Sequence, residues 1–249
     1  MRKRGNVEMK EFINTFKQTK KVTGDNVYIG VGFGVLGAII GVIIALVIMF
    51  TEGTGEDYAH MGAFMVLMVV ALTLIMDGFI VFPADFMQAI AMGKARKHLI
   101  PAHYLLWMRN TLVVLLMALV LSFVEDFAYS RLFTEAVCEI DVKGLLCNPL
   151  IFVTILLCVP AVILFMGGVT LFVGNKGIWA FVGILLMGSG FSTLAKNQPN
   201  SAIVKLLNGL RVTSFEMSEV APICSLSLIV GAVLLTLAWM MLRKQKVNF

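Results

Sequence analysis

The side chains able to carry acid–base, nucleophilic or metal chemistry are few in this chain of 249 residues. It has three histidines, His60, His98 and His103, and none belongs to an HExxH zinc motif. Ser189 stands in a GSGF stretch, but no histidine lies in the surrounding apolar segment to activate it as a nucleophile. No glutamate pair occurs within the apolar segments either. We therefore expect that the chain is not an enzyme and holds no cofactor or metal of its own.

Two ionisable residues, Asp77 and Arg109, lie inside long apolar segments. Each is about five residues from the nearer end of its segment, so consecutive antiparallel helices would place them at similar depth. A charge within a membrane is costly and is usually paired or functional. An Asp77–Arg109 ion pair is the favoured interpretation. Snorkelling of the Arg109 head group and a direct role in substrate handling are the alternatives.

The amino-acid composition of the chain is strongly apolar. Hydrophobic residues make up 59% of the chain and charged residues only 14%, with a mean hydropathy of +0.92. A soluble domain is nearer half apolar and a quarter charged. The chain is therefore expected to be integral to a membrane. Its net charge of +5 then reflects membrane topology rather than nucleic-acid binding.

Six apolar stretches are long enough, or nearly so, to cross a bilayer as helices, which takes roughly 20 residues. The sequence therefore predicts an all-α integral membrane protein with a single six-helix domain over 27–249. Pro149 is well placed as the first residue of the fourth helix. The predicted spans are 27–50, 61–82, 105–124, 150–173, 178–194 and 221–242.

Basic residues predict the orientation. With both termini on one side, that side carries fourteen Lys and Arg: seven in 1–26, three in 83–104, three after position 242, and Lys176. The other side carries five. Positive residues favour the cytoplasmic side, so both termini are expected there. In the basic segment 1–26, an apolar stripe predicts a helix lying in the headgroup plane, formed by Met9, Phe12, Ile13 and Phe16.

Glycines recur in the first predicted span. Gly32, Gly34 and Gly37 spell GxGxxG, but the dinucleotide fingerprint requires a preceding strand and a βαβ context, which an apolar helix does not supply. The spacings Gly30/Gly34 and Gly37/Gly41 are instead those of small residues that let another helix approach closely. The sequence therefore predicts tight helix packing at this span.

The stretch FPADFMQAIAMGKARKHLIPAHY at 82–104 is a basic interruption between the second and third predicted spans. Its apolar residues recur at i, i+3, i+4 and i+7, which predicts one short helix over about 84–99. The stripe consists of Phe86, Ala89, Ile90 and Gly93, and the charged cluster after it of Lys94, Arg96 and Lys97. We expect a cytoplasmic helix that docks on a motor protein. The alternative is a polar loop whose basic residues only set topology.

The larger predicted outer loop, 125–148, contains Cys138 and Cys147. They could form a disulfide if that side is oxidising, but sequence spacing does not show that their Cα atoms come within reach. No CxxC or Cys/His cluster indicates a zinc or redox site. A further apolar stripe predicts an amphipathic helix before the sixth span, formed by Ile203, Leu206, Leu207 and Leu210.

This order of elements resembles that of the permease subunits of type-2 ABC exporters of the small bacterial kind. The local match is F…F…A…MGKARK in 82–97, similar to a segment of the form F…al.mG.(T/S)RK.f in that family. Ala95 departs from the usual hydroxyl residue. The positions that fit are Phe86, Ala89, Met92, Gly93, Arg96 and Lys97.

The resemblance implies that the helix over about 84–99 is a coupling helix seated in a separate ATPase subunit, which would hold the ATP and Mg. A second permease chain, identical or not, would complete a dimer in a bacterial cell membrane. The cargo would be lipophilic or amphipathic, such as a peptide, drug or lipid. The implied ATPase-coupling residues are Phe86, Ala89, Ile90, Met92, Gly93, Lys94, Arg96 and Lys97.

Two other classes are weighed against this one. A gradient-driven carrier or channel usually has discontinuous helices and charged residues near the membrane midplane, whereas Asp77 and Arg109 are not central in their spans. A non-transporting scaffold or sensor subunit predicts that ATP hydrolysis does not depend on this chain.

Overall fold

The computed structural model describes residues 9–17, 32, 34–43, 47, 57–91, 96–132, 137–174 and 217–244. Helix α1 covers 9–17 and α2 covers Gly34–Ile43. Helix α3, Met61–Met76, runs through a π-helical segment, Asp77–Val81, into α4, Phe82–Ala91. The remaining helices are α5, Arg96–Leu132, α6, Val142–Cys147, α7, Pro149–Val173, and α8, Met217–Lys244.

Within the described residues, four helical stretches are long and apolar enough to cross a membrane: Met61–Ala91, Lys97–Ala128, Pro149–Val173 and Val220–Arg243. They correspond to the predicted second, third, fourth and sixth spans and indicate a membrane-spanning protein. Of the first predicted span, Gly34–Ile43 is described as an apolar helix. The fifth span and the amphipathic stripe at 203–210 lie outside the described residues.

The prediction of an all-α chain was incomplete, because two short strands pair outside the long helices. Strand β1, Asp57–Ala59, runs parallel to β2, Val137–Ile140, with Tyr58 opposite Cys138. Strands of three and four residues are too short to show the alternation by which a strand is recognised in sequence. The ladder joins the chain segments before α3 and after α5.

Neither proline of 82–104 bounds a separate helix. Pro83 is the second residue of α4, which continues the membrane helix, and Pro101 lies in the second turn of α5. Pro101 forgoes one backbone bond, while its neighbours Leu99 and Ile100 are each 1% exposed in the core. By contrast, Pro149 does begin α7, and the Asn148 side chain accepts a hydrogen bond of 3.1 Å from the Leu150 N–H.

The glycine contacts of α2 confirm the packing prediction. A Cβ at Gly41 would lie 2.6 Å from Gly62 Cα, and one at Gly37 would lie 3.1 Å from Val69 Cγ2. Gly34 faces the Met117 side chain. Because these positions lack a side chain, α2 lies directly against α3 and α5.

Glycines also join the π segment to α7. A Cβ at Gly78 would lie 2.9 Å from Ile163 Cγ2, and Gly167 is covered by the Phe82 ring. At the next residue, a Cβ on Gly168 would lie 3.7 Å from Leu242 Cγ of α8. Helices α3 to α5, α7 and α8 therefore share one buried core, whose largest members include Phe82, Trp107, Leu164 and Leu242.

Candidate functional site

The two ends of the helix bundle differ in charge. We call the end that carries Lys97 and Arg243 the basic end. The opposite end, which carries Glu125, Asp126 and Asp141, is called the acidic end. The exposed basic side chains at the first and the carboxylates at the second make these the two candidate regions for interaction with other molecules.

A helical hairpin, formed by α4 and the first turns of α5, extends from the basic end. Phe82 lies level with Gly167, and Gly168 lies level with Leu242. From Phe82, α4 continues nine residues to Ala91, or roughly 13 Å at about 1.5 Å per residue. The described part of helix α8 ends at Lys244, two residues beyond Leu242. Among the described residues, the hairpin therefore extends further at this end than α8 does.

An aromatic cluster fills the hairpin. The Phe82 ring lies 5.4 Å from Phe86, 5.0 Å from His103 and 5.1 Å from Trp107, measured between ring centroids. All four side chains are buried. Such edge-to-face contacts stabilise beyond the area they bury. The hairpin is therefore a packed unit, continuous with the membrane helices.

Of the predicted coupling residues within the described ranges, three lie on α4 and two begin α5. Phe86 is 0% exposed, so its ring faces the core of this chain, and its part in coupling stays a prediction. Ala89 and Ile90 are half-buried against the same core. The apolar stripe was correctly recognised, but its periodicity does not show whether the chain itself or a partner covers it.

Two predicted coupling residues, Arg96 and Lys97, lie at the start of α5. Lys97 is exposed. Arg96 is the first residue of α5. The predicted single helix over 84–99 is instead the end of one helix and the start of the next, with Met92, Gly93 and Lys94 outside the described residues. As coupling residues, these basic positions stay a prediction.

Helix α1 packs against the start of α5, beside Arg96 and Lys97. The Phe12 ring lies 6.3 Å from the His98 ring, and the Glu11 carboxylate lies 3.7 Å from His98 Nε2. Phe12 is half-buried, whereas Met9 and Ile13 are 60% and 44% exposed. One part of the predicted apolar stripe therefore packs against the protein, and the other part is exposed. Its placement in a headgroup plane stays a prediction.

The predicted Asp77–Arg109 ion pair is not formed. The Arg109 guanidinium donates hydrogen bonds of 3.1 and 3.4 Å to Asn110 Oδ1, and no ion pair joins these two described residues. Asp77 and Asn110 lie the same number of residues away from the Gly62–Glu125 contact, each along its own helix, so they are at the same level. The similar depth predicted for Asp77 and Arg109 therefore agrees with the structure. Depth alone does not bring two side chains together, because each must also point toward the other helix.

Sequence reasoning missed a carboxylate at the acidic end. Glu125, assigned to a loop, lies within α5 and is 4% exposed. Its two oxygens accept hydrogen bonds of 2.7 Å from the Gly62 N–H and 3.2 Å from the Ala63 N–H. These N–H groups belong to the first turn of α3, which lacks intrahelical acceptors. The only signal in sequence was an acidic residue directly after an apolar run.

A second group of charges surrounds Glu125. His60, 1% exposed, places Nε2 3.2 Å from Asp126 Oδ1 and Nδ1 3.7 Å from Asp141 Oδ1. Lys143 donates a hydrogen bond to Asp126, and this bond raises the pKa of the Lys143 ammonium. Asp141 also accepts from the Gly144 N–H at the start of α6. The cluster joins α3, α5 and α6.

The disulfide considered for the outer loop is not formed. Cys147 is a free, exposed cysteine at the end of α6, while the backbone of Cys138 pairs with Tyr58 in the short ladder. Within the described ranges, no three His, Cys, Asp or Glu side chains are grouped so as to hold a metal ion.

Comparison of the chain with protein-family models, with curated proteins and with solved structures gave no match. The function is therefore proposed from the geometry of the hairpin and of the membrane helices.

Proposed function

We propose that this protein is the permease subunit of an ATP-driven exporter, with hydrolysis carried out by a separate ATPase chain. The permease moves a lipophilic or amphipathic cargo, such as a peptide, drug or lipid, across a bacterial cell membrane. It works as a dimer with a second permease chain and has no catalytic site of its own.

The observation that carries this proposal is the packed hairpin at the basic end. Its two arms continue two membrane-spanning helices, and the buried cluster of Phe82, Phe86, His103 and Trp107 packs them together. Close-packed interiors transmit displacement because they compress little. A partner that pushes on the turn therefore moves both helices as one body.

The coupling set differs from the one implied by sequence. The basic residues Lys94, Arg96 and Lys97 bind the ATPase, favoured by electrostatic complementarity with an acidic cleft. Phe86, buried in the aromatic cluster of the hairpin, transmits the displacement to α5. Helix α1, held at His98, is positioned to follow the same movement.

A gradient-driven carrier or channel is the second candidate, and Asp77 is the observation that favours it. This carboxylate is half-buried in a membrane-spanning stretch, at the start of a π-helical segment, and forms no ion pair with Arg109. Intramembrane carboxylates often belong to proton or ion pathways, and π segments are frequent at functional sites. A scaffold or sensor subunit remains the third class.

A pull-down from the native membrane separates these candidates. We expect the wild-type chain to retain a P-loop ATPase at a ratio near one to one, and Arg96→Glu/Lys97→Glu to lose it. The matched control is Arg243→Glu/Lys244→Glu, which makes the same charge change at the same end and should keep the ATPase. Retention by the first variant would refute the coupling assignment. Transport by the chain alone in vesicles would establish the carrier instead.

A further inference from the structure

An apolar groove of about 470 Å³ lies between α2, α3 and α5. Every side chain that lines it is hydrophobic, including Ala38 and Ile39 of α2 and Leu116, Val120 and Val124 of α5. This surface is separate from the hairpin and from the acidic-end charge cluster.

The walls of the groove are held in place by the glycine contacts of α2. Gly34 lies against Met117, and Gly41 lies against the backbone of Gly62 and Met61. Because both contacts bring helices close together, α2 has little freedom to close over the groove. The groove is therefore a preformed feature.

The groove lies in the hydrocarbon, just below its boundary at the acidic end. Val120 and Val124 are 62% and 56% exposed on a membrane-spanning helix. The next two residues, Glu125 and Asp126, are the first acidic residues of α5, and because charged side chains are costly in hydrocarbon we place them near its boundary. Lipid tails of the leaflet at the acidic end therefore reach this groove directly.

The dimensions of the groove favour a lipid chain over a protein helix. An engineered apolar cavity of about 150 Å³ binds benzene, so this groove accommodates on the order of eighteen carbons by the same ratio. It extends from Leu116 to Val124, roughly 12 Å of helix axis. The mean cross-section is then on the order of 40 Å², about half or less that of a helix 10–12 Å wide.

We propose that this groove is a binding site for the acyl chain of a membrane phospholipid whose headgroup lies at the acidic end. The lipid would extend from the level of Asp126 and Lys143 down the groove toward Val35. This site follows from the membrane-spanning helices alone and does not depend on the exporter assignment.

Native mass spectrometry of the full chain in mild detergent, with added palmitoyl-oleoyl phosphatidylcholine, tests the site. Wild-type protein should retain one phospholipid at collision energies that remove the others. Ala38→Phe, which fills the groove, should reduce that bound fraction by at least roughly tenfold. Leu36→Phe is the matched control, because Leu36 is 54% exposed on the same helix but does not line the groove, and it should retain the lipid.

A second pair of variants tests the site if the Ala38→Phe protein does not fold. Val120 and Ile229 are both 62% exposed on membrane helices, but only Val120 lines the groove. Val120→Phe should lose the retained phospholipid and Ile229→Phe should keep it. Equal retention by this pair, or a wild type that retains no lipid, would overturn the proposal. So would a groove variant that loses dimer mass while retaining lipid, because a second copy would then be the occupant.

Discussion

Replacing Glu125 with alanine should destabilise the protein more than removing any exposed carboxylate. Its two oxygens accept hydrogen bonds from the Gly62 and Ala63 N–H groups, at 2.7 and 3.2 Å. Both donors belong to the first turn of α3, at the positive end of the helix dipole. The Glu125→Ala change leaves both donors buried without this acceptor.

The magnitude follows from these two contacts. A hydrogen bond to a charged group contributes about 1.5–3 kcal/mol, and the cost of burying the carboxylate offsets part of the sum. We therefore expect a net loss of about 3 kcal/mol, which lowers the melting temperature by about 6–12 °C for a chain of this size. Glu125→Gln keeps one good acceptor and should lose about half as much.

Thermal unfolding in mild detergent, followed by size-exclusion chromatography of the remaining monodisperse protein, measures this effect. The control is Glu11→Ala, because Glu11 is 59% exposed and its ion pair with His98 is long, at 3.7 Å. An exposed pair contributes about 1 kcal/mol or less. A Glu125→Ala melting temperature equal to that of Glu11→Ala would show that the carboxylate does not cap α3.

Three other predictions test the helix packing. Gly41→Ala should destabilise the protein by about 1–3 kcal/mol, whereas Gly32→Ala, whose Cβ would meet nothing within 4 Å, should be neutral or stabilising in the same melting assay. The effects of Asp77→Asn and Arg109→Gln on stability should be additive in a double-mutant cycle, with a coupling energy below about 0.5 kcal/mol. A larger coupling energy would indicate that the ion pair forms. Phe86→Ala should lower stability by about 3–5 kcal/mol. Loss of partner binding with an unchanged melting temperature would instead indicate that Phe86 contacts the partner.

The membrane-spanning helices illustrate what sequence could predict. The predicted span 150–173 agrees with Pro149–Val173, and 221–242 lies within Met217–Lys244. Long apolar runs leave a chain few alternatives in hydrocarbon, because every backbone N–H and C=O must be paired within the segment. Helix ends were predicted less well where helices continue beyond the membrane, as α5 does at both ends.

The candidate site was predicted only in outline. The sequence located a basic interruption between two apolar helices and predicted it as one short helix with an apolar stripe. It did not show that Phe86 faces inward, because a stripe indicates a face but not which neighbour covers it. It also could not indicate that Glu125 meets Gly62, since that contact joins residues far apart in the chain.

The sequence by itself determined that this protein is built of apolar helices able to cross a membrane, and that the glycines of α2 allow close packing. Composition and local periodicity are sufficient for both, because each is a property of one segment. The tertiary structure decided that Arg109 bonds to Asn110 rather than Asp77, that Glu125 caps α3, and that a groove remains beside α2. These outcomes depend on the rotation of each helix about its own axis, which only packing against all its neighbours fixes.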